Sequence, residues 1–116
     1  MSLVLKEKTV PVLETPKISS IIRGLVGKFK VGRHRLYDSR DDTFCILGAL
    51  GFAGGMTRED IMNHQYAGIK EIYPQLADQV DVDGENQTEL TSRLFTLNDA
   101  GYPWNEIADK VERLGY

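Results

Sequence analysis

The chain has 116 residues, 41% hydrophobic and 27% charged, with a net charge of -3, ordinary values for one globular domain that buries roughly two-thirds of its unfolded surface. A single cysteine excludes an internal disulfide and fits a reducing, cytoplasmic compartment. The longest apolar stretch, residues 44–53, is about half a membrane span and is broken by glycines, and the first residues carry no basic-then-apolar secretory pattern.

Residues 1–14 alternate loosely and contain Pro11, which cannot donate a ladder hydrogen bond, so they read as an extended arm or edge strand, with a small β-element over 3–13. Residues 15–116 read as a single helical domain. The first helix is predicted over 16–30, capped by Thr15 and opened by Pro16. Ile18, Ile21, Ile22, Leu25, Val26 and Phe29 form its apolar stripe. A polar loop over 31–42 follows. Residues 43–53 are apolar on every side, which places a helix there at the centre of the fold. Asp42 or Thr43 would cap it, Gly48 and Gly51 would admit a neighbouring helix, and Gly54–Gly55 would end it.

Thr57 and Asp60 make a capping box for a helix running to about Gly68, with Ile61 and Met62 inward. A short helix and a turn at Pro74 come next, then a loop over 80–86. Residues 88–100 form a helix with Leu90, Leu94 and Leu97 inward, stopped by Gly101. The last helix spans 103–114 and buries Trp104, Ile107, Ala108, Val111 and Leu114. The predicted fold is mainly α: a compact bundle of four to five helices around the central helix at about 43–53.

Charge is uneven along the chain. Residues 1–56 hold nine Lys/Arg and five Asp/Glu, a balance of +4, and residues 57–116 hold five and twelve, a balance of -7. Such polarity steers a charged partner or drives head-to-tail association, or it reflects solvated faces alone.

Cys45 is the one candidate nucleophile of its kind. In the first turn of a helix its thiolate would be stabilised by free amides and the helix dipole. A base is also required, and only His34 and His64 are present. Asp41 and Asp42 just upstream would raise the thiol pKa again, and free cysteine is commonly core. A metal site lacks paired ligand spacing. Placing Gly84 at the sixth position of a calcium loop puts Gln79 first and Leu90 twelfth, where carboxylates are needed. No nucleotide-binding glycine loop is present, and no cofactor is expected.

Residues 27–35 gather Lys28, Lys30, Arg33, Arg35 and His34 around Phe29, residues suited to phosphates and bases. Phe29, however, belongs to the helix stripe, and Asp41 and Asp42 follow closely. Residues 97–108 look like the opening of a helix-turn-helix, but the last helix would present Asn105, Glu106, Asp109 and Glu112, which repel phosphate. Asn98 and Asp99 read as turn organisers through local Asx hydrogen bonds. Tyr37, Tyr66, Tyr102 and Tyr116 sit near element ends and are candidates for an exposed binding surface.

Phe44-Cys45-Ile46-Leu47-Gly48-Ala49-Leu50, together with Leu97-Asn98-Asp99-x-Gly101-x-x-x-Asn105-Glu106-Ile107-Ala108-Asp109, resembles a group of short uncharacterised bacterial and phage proteins. These share a C-x-L-G-A-L segment and a closing N-D-x-x-G-x-x-x-x-E-I-A helix. The resemblance covers residues 16–114 and implies a helical fold in a phage or bacterial setting. It carries no activity with it.

With no complete catalytic set, the leading expectation is a non-enzymatic protein-binding or regulatory module. The alternatives are a small cysteine hydrolase using Cys45 with His34 or His64, and a nucleic-acid binder using Lys28, Lys30, Arg33 and Arg35.

Overall fold

A computed structural model describes residues 17–82 and 86–116; the arm at 1–14, its expected β-element and the Thr15–Pro16 helix start lie outside them. Five α-helices are present among the described residues: α1 (Ile18–Leu25), α2 (Ile46–Ala53), α3 (Arg58–Ile72), α4 (Leu90–Asp99) and α5 (Trp104–Arg113). Two antiparallel strand pairs accompany them, β1 (Tyr37–Asp38) with β2 (Thr43–Phe44), and β3 (Gln79–Val82) with β4 (Asn86–Glu89). The fold is mainly helical, as the periodicity predicts. No helix among the described residues is long and apolar enough to cross a membrane.

The apolar run after Asp42 divides between a strand and a helix. Thr43 and Phe44 pair with Asp38 and Tyr37, and Phe44 also donates to the Lys30 carbonyl and accepts from the Gly32 N–H. With those backbone groups engaged laterally, the helix starts at Ile46 and not at Thr43, and Cys45 is its N-cap. Every residue of α2 from Ile46 to Gly51 is buried, the environment that an all-round apolar helix requires. The glycines on this helix serve two different neighbours. A Cβ on Gly48 would collide with the backbone carbonyl of Leu36, so the close approach is by a loop and not by a helix. At Gly51 a Cβ would lie 3.0 Å from Ile69 Cγ1, and here the neighbour is α3.

Several boundaries and orientations depart from expectation. α1 ends at Leu25 because Gly27, at φ 80°, turns the chain back; Val26 is left 44% exposed, and Phe29 packs from beyond the helix. Ile18, Ile22 and Leu25 are buried, and α1 packs chiefly on α5. The capping box forms as expected, with the Asp60 N–H donating to Thr57 Oγ1 and the Thr57 N–H to Asp60 Oδ2, both at 3.0 Å. α3 then runs on to Ile72, interrupted by Gln65 at φ 49°, ψ -135°. That conformation costs a non-glycine residue about 1–3 kcal/mol. Met62 is 45% exposed instead of inward. Residues 79–82 and 86–89 are paired strands and not a loop; the Val80–Asp81–Val82–Asp83 alternation is a period-two pattern. Since residues 86–89 are held in the sheet, α4 starts at Leu90. α5 buries Trp104, Ile107, Ala108 and Val111, but Leu114 lies past its end and is 37% exposed.

Three substitutions test these assignments in urea denaturation. Gly48→Ala forces a methyl group into the Leu36 carbonyl and should cost ~3 kcal/mol or more. Gly24→Ala, with nothing within 4 Å of the new Cβ, should instead stabilise by ~0.5–1 kcal/mol. Gln65→Gly relieves the kink strain and should stabilise by ~1 kcal/mol; a loss of stability there would show that the kink is unstrained.

Candidate functional site

The segment joining α1 to β1 has no regular structure of its own, yet its backbone is fixed at several points. Phe44 donates to the Lys30 carbonyl at 2.9 Å, Gly32 donates to the Phe44 carbonyl at 2.8 Å, and Cys45 donates to the Leu36 carbonyl at 3.1 Å. Gly32 is needed because a Cβ there would sit 2.6 Å from Thr43 Oγ1. His34 adopts a left-handed φ of 68°, held by Asp99 Oδ1, which accepts the His34 N–H at 2.9 Å.

Behind this loop stands Asn98, 2% exposed. Its Oδ1 accepts the Ile46 N–H at 3.0 Å and the Trp104 indole N–H at 2.9 Å, while its Nδ2 donates to the Gly32 carbonyl at 2.9 Å. One amide therefore joins the start of α2, the start of α5 and the loop. Local Asx bonds were the expectation for Asn98 and Asp99; both instead reach across the fold. A signal for this was present in the sequence. Asn98 falls on the Leu90–Leu94–Leu97 side of α4, and a polar residue on a buried stripe must find partners.

The candidate nucleophile does not meet its bases. Cys45 is fully buried, and burial pushes its thiol up to about 11, although the amides of Gly48 and Leu47 pull the other way. The carboxylate acting on it is that of Asp99, not those of Asp41 or Asp42. Asp42 is engaged elsewhere: it accepts from Tyr37 Oη at 2.7 Å and Arg58 Nε at 2.9 Å, and the Arg58 guanidinium lies over the rings of Phe52, Phe44 and Tyr37. His34 is 77% exposed, with Nδ1 3.2 Å from Asp99 Oδ2. His64 is exposed on α3. Among the described residues, no hydrogen bond links either imidazole to the thiol, and no group of acidic, histidine and cysteine side chains is arranged to hold a metal.

The cations behave differently. Lys28, Lys30, Arg33 and Arg35 are all exposed, and none is ion-paired among the described residues. Arg23, Arg40, Arg58 and Lys70 each hold a carboxylate. Arg33 lies along the α4–α5 turn, where a Cβ on Gly101 would come within 2.9 Å of its Nη2. Val26 and Val31, 44% and 54% exposed, sit among these charges. Phe29 is not free to stack on a base, since its ring packs 5.0 Å from Phe44 and 5.8 Å from Phe52. α5 exposes Asn105, Glu106, Asp109 and Glu112. Of the tyrosines, Tyr102 is 39% exposed beneath Lys110; Tyr37, Tyr66 and Tyr116 are half-buried.

A scan against protein-family models, a search of curated proteins and a search of solved structures each gave no match.

Asn98→Ala strands the Ile46 and Trp104 donors and the Gly32 carbonyl together, and should cost ~3 kcal/mol or more in urea melts followed by Trp104 fluorescence. Thiol labelling provides the check on Cys45. Native protein should react no faster than it unfolds, and fast labelling of the folded chain would return Cys45 to the list of accessible nucleophiles.

Proposed function

We propose that this chain is a non-enzymatic binding module of phage or bacterial origin, working in the cytoplasm, that docks an acidic protein surface through the loop at residues 26–35. The observation that carries this reading is the clustering of unpaired cations on one fixed segment. Four on the loop are exposed and free of ion pairs among the described residues, on a backbone fixed by β2 and Asn98. A pre-ordered loop loses less entropy on association than a floppy one. Conformationally defined surface loops on a rigid scaffold are where binding residues concentrate.

The mixture of side chains favours a protein over a nucleic acid. Exposed Val26 and Val31 supply apolar contact between the charges, whereas the loop's aromatic ring is occupied by the core. The single unpaired cysteine, which fits a reducing compartment, and the resemblance of the paired motifs to bacterial and phage chains support the stated origin and location.

The test compares wild type with Lys28→Glu/Lys30→Glu/Arg33→Glu, immobilised and exposed to nuclease-treated lysate of the source cell. Wild type should retain an acidic protein that the variant releases, with affinity reduced at least ~10-fold, or about 1.4 kcal/mol. Both should melt at the same temperature, because these side chains are exposed. Tight binding of wild type to duplex DNA, with a log–log salt slope near ~-3, would replace this reading with the nucleic-acid one.

A further inference from the structure

A cleft of about 340 Å³ opens between residues 34–37 and α3. His34 and Arg35 form one rim, Gln65 and Tyr66 the other, and buried Leu36 and Ile61 lie between them. Its size falls at the lower end of the range for small-molecule sites.

Three features single this cleft out. The first is backbone geometry. Two of the three non-glycine residues with positive φ among the described residues, His34 and Gln65, lie on its opposite rims. The Gln65 kink closes the first half of α3, with Gln65 Nε2 donating to the Met62 carbonyl at 3.3 Å, and Tyr66 follows it directly onto the rim. Strained conformations of this kind concentrate at ligand sites. The second is Met62, which also lines the cleft and is 45% exposed. An exposed, flexible thioether is well suited to covering an apolar guest.

The third feature is an excess of donors. Among the described residues, the Arg35 guanidinium and the Tyr66 hydroxyl have no acceptor. The carboxylates nearby are engaged: Asp38, which feels the Arg35 charge, is held by Arg40, and Asp99 faces the His34 N–H, His34 Nδ1 and Asn98 Nδ2. Tyr37 gives its hydroxyl proton to Asp42. Burial, with the Cys45 thiol and the Asp99 carboxylate nearby, raises the Tyr66 pKa, so this hydroxyl remains a donor at neutral pH.

We propose that the cleft binds a small molecule made of an anionic head, carboxylate or phosphate, on an apolar ring. The head pairs with Arg35 and accepts from Tyr66, and the ring lies against Met62 and the accessible edge of Leu36. This site adjoins the acidic-protein surface: the two share His34 and Arg35, and Lys28 and Lys30 take no part in the cleft.

Amide-resolved NMR titration of the full chain tests this with benzoate, phenyl phosphate and neutral benzamide. At least one anion should give saturable shifts confined to residues 34–37 and 61–66, and benzamide should bind at least ~10-fold more weakly, as loss of a charge-assisted pair implies. Saturation by benzoate alone identifies a carboxylate ligand, and by phenyl phosphate alone a phosphate ester; either supports the site. Arg35→Gln should weaken binding ~10-fold and Tyr66→Phe by a smaller factor, while Lys28→Glu/Lys30→Glu leaves it unchanged. Both cleft variants must retain wild-type dispersion, and Tyr66→Phe keeps the ring that packs on Phe95. No saturable shift with any probe, equal binding of benzamide, or equal binding by Arg35→Gln would overturn the proposal.

Discussion

The side-chain amide of Asn98 satisfies donors and an acceptor from three segments that are far apart in sequence. α2 enters the core at Ile46 with its first amides pointing into protein, where no water can meet them, and Asn98 Oδ1 accepts one. The same oxygen accepts the Trp104 indole proton, which fixes the angle at which α5 leaves the turn. The opposite end of the amide holds Gly32 and thereby the whole α1–β1 loop. A buried amide that uses both ends specifies position in a way that an apolar residue of equal volume cannot, because any shift of α2, α5 or the loop breaks a bond that water will not replace.

From that constraint the rest of the interior follows. With the loop drawn down over α2, the Leu36 carbonyl passes so close to Gly48 that no side chain fits there. Cys45 is sealed beneath this contact, and its thiol is pushed upward by burial. A helix N-terminus therefore does not produce a reactive cysteine here. Desolvation outweighs the amides of Leu47 and Gly48, and the residue functions as core.

The ion pairs add little to stability, since Arg23 with Asp109 and Glu112, and Arg58 with Asp42, are solvent-exposed. Their effect is on which charges remain available. Arg23 neutralises part of the acidic face of α5, and Arg58 engages Asp42 and covers an aromatic cluster. Among the described residues, four of the cations without an ion pair cluster on residues 28–35, while Lys17, Arg93, Lys110 and Arg113 lie apart in the chain. In this respect the uneven charge of the two halves becomes a local feature, concentrated on a fixed loop and not spread over a face.

Much of this architecture is legible before any coordinates. The apolar stripe of α1, the Thr57–Asp60 capping box, the buried side of α5 and the central place of residues 46–51 follow from periodicity and capping chemistry, which are local properties of the chain. Gly27 and Gly101 mark turns because positive φ costs other residues more. Beyond that range, local rules cannot reach. That Thr43 and Phe44 form a strand depends on Lys30, Gly32 and Tyr37 arriving beside them. The partners of Asn98 lie 52 and 66 residues away at Ile46 and Gly32, so its role is invisible to a window of one helix. The Gln65 kink leaves no trace in residue type. Composition and spacing settle which segments are helical and which sides are apolar; the meeting of distant segments settles which amides are satisfied, which cations stay free and which cysteine is buried, because burial and pairing are properties of neighbours and not of the residue itself.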